Sequence, residues 1–125
     1  MKRAIALCLA AAALMPAPVS AHHSFAMFDA RQTLTVKASV TEFQWANPHC
    51  WIELDVSAGQ GAHKGFTHIA LEANALSYLR AGGWNARTLK PGDQVTVEYH
   101  PMRDGTPAGQ LLTLRLANGT LLKGQ

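Results

Sequence analysis

The chain has 125 residues, 48% of them hydrophobic and 15% charged, with a formal net charge of +3. That length suits one domain around a single modest core and leaves little for a second. The small net charge, with no basic stripe interleaved with aromatics, argues against a nucleic-acid partner.

At the start of the chain, basic Lys2 and Arg3 precede an apolar run from Ala4 to Leu14 and a zone of small residues ending Val19-Ser20-Ala21. This is the pattern of an export signal, residues 1–21, cleaved near Ala21. The apolar run is too short to span a bilayer, and no later stretch approaches the length of a membrane helix. The expected product is a periplasmic or secreted protein beginning His22-His23-Ser24-Phe25, with no membrane span after cleavage. Loss of Lys2 and Arg3 reduces the 11 basic residues to nine, against eight acidic ones, so the mature chain is nearly neutral. Cys8 leaves with the leader, and its place after Leu7 does not fit a lipoprotein signal. Cys50 is then alone, with no partner for an intrachain disulfide or a thioredoxin-like pair.

Residues 22–32 read as an N-terminal arm, and 33–125 as a β domain. Val36, Ala38 and Val40 alternate with Lys37, Ser39 and Thr41, as in a strand with one face in a core. The bulk then shifts parity to Phe43 and Trp45, which predicts a bulge or sharp bend. Asn47-Pro48 marks a tight turn. A second strand from about His49 to Val56 puts Cys50, Ile52, Leu54 and Val56 inside, with His49, Trp51, Glu53 and Asp55 outside. Glycine-rich 57–65 is a connection, and a third strand runs from Phe66 to Glu72 with Ile69 and Leu71 inward and His68 outward. Asn74 is the expected N-cap of a short helix through Arg80, ended by Gly82-Gly83 in left-handed geometry. Lys90-Pro91-Gly92-Asp93 turns into a fourth strand, Gln94 to His100. After a loop from Arg103 to Gly109, Leu112, Leu114 and Leu116 mark a fifth strand ending near Asn118-Gly119.

Three strands, a short helix and two strands is the order of the five-stranded OB-like barrel, in which a bent first strand serves both sheets. An open β-sandwich with one helix is the alternative fold. In the barrel, the loops after strands one and four bring His49 and His100 toward one rim.

The histidines carry the chemistry. A terminal amine and the His22 imidazole form a chelate, and further histidines would complete a nitrogen site suited to Cu(II). His23 offers a second mode, through the amine, a deprotonated amide and its ring. His49 and His100, each beside a proline, supply the rim ligands if the segment from Ser24 to Arg31 crosses it, with Phe25, Met27 and Phe28 as apolar anchors. Solvated histidines on a frayed terminus are the plainer reading of the same residues. His63 lies in the glycine-rich loop and His68 is an isolated strand histidine. Cys50 is expected in the core as a small hydrophobe. Trp45 and Trp51, with Phe43 and Trp84, suggest an aromatic surface for a protein or glycan, although packing explains many such residues. No nucleophile, general-base or phosphate-loop motif is present, which points away from an enzyme.

Three motifs, His22-His23-Ser24-Phe25-Ala26-Met27-Phe28-Asp29, Trp45-Ala46-Asn47-Pro48-His49-Cys50-Trp51 and Leu89-Lys90-Pro91-Gly92-Asp93, resemble an uncharacterised family of small exported bacterial proteins, a domain of unknown function. The resemblance spans essentially the whole mature chain and implies bacterial origin and export. It brings no activity, ligand or site residue. The sequence therefore points to a non-catalytic periplasmic binding module, taking copper through His22, His23, His49 and His100. The alternative is a metal-free adaptor binding an unknown periplasmic protein or small ligand through Trp45 and Trp51.

Overall fold

The computed structural model describes residues 25–57 and 65–125. Residues 1–21, the expected export signal, and His22, His23 and His63 lie outside the described residues. Six strands and one helix follow in chain order: β1 (Leu34–Gln44), β2 (Trp51–Val56), β3 (His68–Glu72), α1 (Leu76–Ala81), β4 (Gln94–Pro101), β5 (Ala108–Leu116) and β6 (Leu121–Lys123).

Alternation builds the interior. Val36, Ala38 and Val40 of β1 meet Ile52, Leu54 and Val56 of β2, Ile69 and Leu71 of β3, and Val95, Val97 and Tyr99 of β4 in one buried cluster. Leu79 of α1, Trp84, Leu89, and Leu111 and Leu114 of β5 belong to the same cluster. Cys50 continues the inward series of β2 and is fully buried, as its register predicts.

β1 is the strand that makes closure possible. Its first half pairs with β4, from Leu34 opposite Tyr99 to Ser39 opposite Gln94. Its second half pairs with β2, from Ala38 opposite Val56 to Gln44 opposite Trp51. The register slips between Val40 and Glu42, which puts a bulge where the apolar parity changes. Parallel pairing of β3 with β5, at Ala70–Ala108, Leu71–Gly109 and Glu72–Gln110, shuts the ring. The result is a closed five-stranded OB-like barrel, β1-β2-β3-β5-β4, with β6 added to β5. The open sandwich is excluded by that parallel seam.

Several boundaries differ from expectation for local reasons. Ordered strand pairing starts at Trp51 and His68 rather than at His49 and Phe66. The N-cap residue of α1 is Ala75, and the first helical amide, Leu76 N, donates to Asn47 Oδ1 from the turn after β1. Asn74 Oδ1 instead accepts from Ala75 N. Of the glycine pair, Gly82 has φ −85° and only Gly83 is left-handed, at +91°. Strand β5 begins at Ala108, inside the expected loop, and a second bulge shifts pairing from Glu98–Thr113 to Tyr99–Leu111. Leu111 and Leu114 therefore point inward, and Leu112, expected in the core series, is the displaced residue. Three residues after the Asn118-Gly119 turn form β6, too short a run to show alternation in sequence.

Candidate metal-binding rim

One row of paired residues crosses the outer face of the barrel: Gln44, Trp51, Glu72, Gln110 and His100 lie opposite one another on β1, β2, β3, β5 and β4. Their inward neighbours, among them Ile52, Leu71 and Tyr99, hold the core. From Glu72 to His100 is two strand spacings, about 10 Å.

His49 sits just before this row, in the turn that contains the cis Asn47-Pro48 peptide. Its Nδ1 lies 2.8 Å from Glu72 Oε1. The imidazole is partly exposed, whereas the Glu72 side chain is only 6% exposed. Glu72 Oε2 is buried with no hydrogen-bond partner among the described residues. The ring offers Nδ1–H to this carboxylate, which orients the imidazole.

His100 is oriented through the same ring nitrogen by a different group. Its Nδ1 lies 2.7 Å from the Gln32 carbonyl oxygen, which can only accept, so Nδ1 carries the proton. That carbonyl belongs to the end of the N-terminal arm. Asp29 N donates to Pro101 O at 2.8 Å, Arg103 N to Met27 O at 2.9 Å and Arg103 Nε to Phe28 O at 3.0 Å. Phe28 opposes Met102 in an antiparallel bridge and is buried. Asp29 clamps the turn back toward β1 by accepting from Arg31 Nε at 3.0 Å and Gln32 Nε2 at 2.8 Å. The Arg31 hydrogen bond, then that of Gln32, holds the Asp29 carboxyl well below the usual carboxylate range.

The arm thus docks beside His100 from residue 25 onward. Of the three expected anchors only Phe28 is buried; Phe25 is 73% exposed and Met27 is also exposed. Backbone pairing with the chain after β4, rather than three apolar contacts, seats the segment.

Cys50 takes no part in the rim. Its thiol donates to Ala46 O at 3.6 Å, and burial pushes its pKa up. Trp45 is engaged in packing: its ring lies 5.6 Å from Phe43 and beneath the Arg80 guanidinium at 5.8 Å. Trp84 is buried and donates to Lys123 O. Trp51 is half-buried on the outer row, opposite Gln44. A polar groove of about 660 Å³ lined by Lys37, Ser39, Asp55, Ser57, Thr67 and Gln94 lies along β1, and none of His49, His68 and His100 lines it.

His68 is not isolated. The β2–β3 register sets it opposite Asp55, with Nδ1 2.9 Å from Asp55 Oδ1 and Nε2 2.7 Å from Glu53 Oε2. Asp55, then Glu53, raises its pKa above 6.5. Because the folded value exceeds the unfolded one, the stabilisation is fully present below about pH 6.5 and disappears as pH rises through the raised value. An NMR titration of the His68 ring is expected to give a midpoint above 6.5, and His68→Gln should remove that part of the pH-dependence of stability. A midpoint at or below 6.5 contradicts the pairing.

Among the described residues no three histidine, cysteine or acidic side chains converge on one metal position. The rim holds two histidines, each with Nδ1 against an oxygen acceptor, and the arm ends beside one of them. Residues 8–111 match a family of unknown function, DUF6152. The chain belongs to that family. The match includes every rim residue from His49 to Gln110. No characterised protein and no solved structure matched this DUF6152 chain.

Glu72 and Gln32 were not apparent as site residues in the sequence. Alternation places Glu72 outside, but its pairing with His49 needs the β2–β3 register and the course of the turn after β1. Gln32 acts through its main chain and leaves no side-chain signal.

Proposed function

We propose that this DUF6152 protein is an exported, non-catalytic copper-binding module, acting in the periplasm after cleavage at Ala21. Cu(II) is held by the amine and imidazole of His22, with His49 and His100 completing a nitrogen site and His23 as the alternative terminal ligand. The observation that carries this reading is the arm docked on the chain that bears His100, joined to that histidine through the Gln32 carbonyl. Two further features support it. Nδ1 of each rim histidine lies against an oxygen acceptor, the arrangement that orients metal-binding imidazoles. Imidazole and amine nitrogens suit Cu(II). Glu72 and Gln32 then act as orienting groups, and neither touches the metal.

The test uses protein beginning at His22, with Cu(II) binding followed by calorimetry and EPR. One equivalent should bind. Acetylation of the terminal amine, or replacement of both His22 and His23 by alanine, should weaken binding at least about 100-fold, since losing a ligand should exceed the usual effect of losing an orienting group. Equal affinity in all three proteins would overturn the site.

A further inference from the structure

We propose that His100 and Met102 form a cuprous subsite, so that the rim takes Cu(I) through a nitrogen and a thioether. The inference rests on the reading of His100 as a copper ligand, but it does not require the N-terminal chelate. Along β4, Tyr99 and Pro101 are buried in the interior, and His100 between them is half-exposed on the outer face. The chain stays extended beyond β4: Met102 N donates to Ala108 O at 3.1 Å, and Phe28 pairs with Met102 on the other side. Residues two apart on a strand share a face with their Cα atoms about 7 Å apart. Both side chains are long enough to reach one ion between them.

The chemistry selects the oxidation state. A thioether is a soft ligand that favours Cu(I), and an imidazole accepts either state. The tautomer of His100 is fixed by Gln32, so Nε2 is the nitrogen offered. Phe28, buried opposite Met102, supplies an apolar wall of the kind that suits a monovalent ion of low coordination number. Met102 is half-exposed and outside the hydrophobic core cluster, so filling the barrel interior does not account for a methionine at this position.

Met102→Leu keeps the volume and apolar contact with Phe28, and the fold is expected to survive it. Protein beginning at His22 is titrated anaerobically with Cu(I) against a chromophoric cuprous chelator, and separately with Cu(II) by calorimetry. Met102→Leu should lower Cu(I) affinity at least about tenfold and leave Cu(II) affinity within about twofold. Copper K-edge absorption of the Cu(I) form should show sulfur scattering that the variant lacks. Unchanged Cu(I) affinity or absent sulfur scattering overturns the subsite, whatever the Cu(II) result. If Cu(I) binding depends on Met102 while alanine at both His22 and His23 leaves Cu(II) binding unaltered, the subsite stands and the N-terminal chelate fails.

Discussion

Alanine at position 109 is expected to lower the unfolding free energy by about 3 kcal/mol, measured by urea denaturation. Gly109 stands at the seam that shuts the barrel, paired with Leu71 in parallel and with Pro101 in antiparallel fashion. A Cβ there would lie 2.5 Å from the His100 carbonyl oxygen and 2.6 Å from a ring carbon of Tyr99. Neither neighbour yields easily, since the first is β4 main chain and the second belongs to a ring that is 1% exposed. Overpacking usually costs about 1–3 kcal/mol, and a clash with backbone belongs at the upper end. The expected relief is a local parting of β4 from β5, which also moves the main chain that carries His100. Gly82→Ala is the control: its nearest neighbour is Leu79 O at 3.4 Å and its φ is −85°, so little change is expected. A loss below about 1 kcal/mol in Gly109→Ala would mean that the seam is looser than described.

The second large effect is an asymmetry between His49 and Glu72. His49→Ala removes the donor from a carboxyl that is 6% exposed and whose other oxygen is already without a hydrogen bond. Both oxygens are then buried without donors, a loss expected to cost about 3 kcal/mol. Glu72→Gln keeps the shape and a carbonyl oxygen for the His49 Nδ1–H, and should cost about 1 kcal/mol. Thermal and urea unfolding of the two variants measure the difference, and equal losses would contradict the buried pair. The same asymmetry bears on copper. His49→Ala would weaken binding through both ligand loss and instability, whereas Glu72→Gln isolates the orienting role and should weaken Cu(II) binding about 10- to 100-fold with the fold retained.

Much of the barrel was legible because one-sided burial leaves a period of two. The inward series of β1, β2 and β4 could be read directly, and the parity change at Phe43 and Trp45 located the first bulge. The second bulge escaped because Leu111, Leu112, Leu114 and Leu116 offer two apolar registers, and only pairing with Tyr99 decides between them. β6 escaped because three residues carry no period. The parallel β3–β5 seam joins distant segments and has no local signature.

At the rim, the sequence offered residue types without partners. His49 outside and Cys50 inside followed from alternation, and the structure has them so. The arm was expected to cross the rim on apolar anchors; it docks chiefly through main-chain hydrogen bonds, which composition does not record. His68 was expected to stand alone, yet β2 and β3 place a carboxylate on each of its nitrogens. Trp45 stacks with Phe43 beneath Arg80, an engagement that composition does not record.

Native mass spectrometry of the protein recovered from periplasmic extract tests the copper proposal most directly, because one spectrum reports both the first residue and any retained metal. The account predicts a chain beginning at His22 that carries one copper ion, and loss of that ion when both His22 and His23 are replaced by alanine. A chain beginning elsewhere, or one beginning at His22 that stays metal-free when supplied with copper, would contradict it.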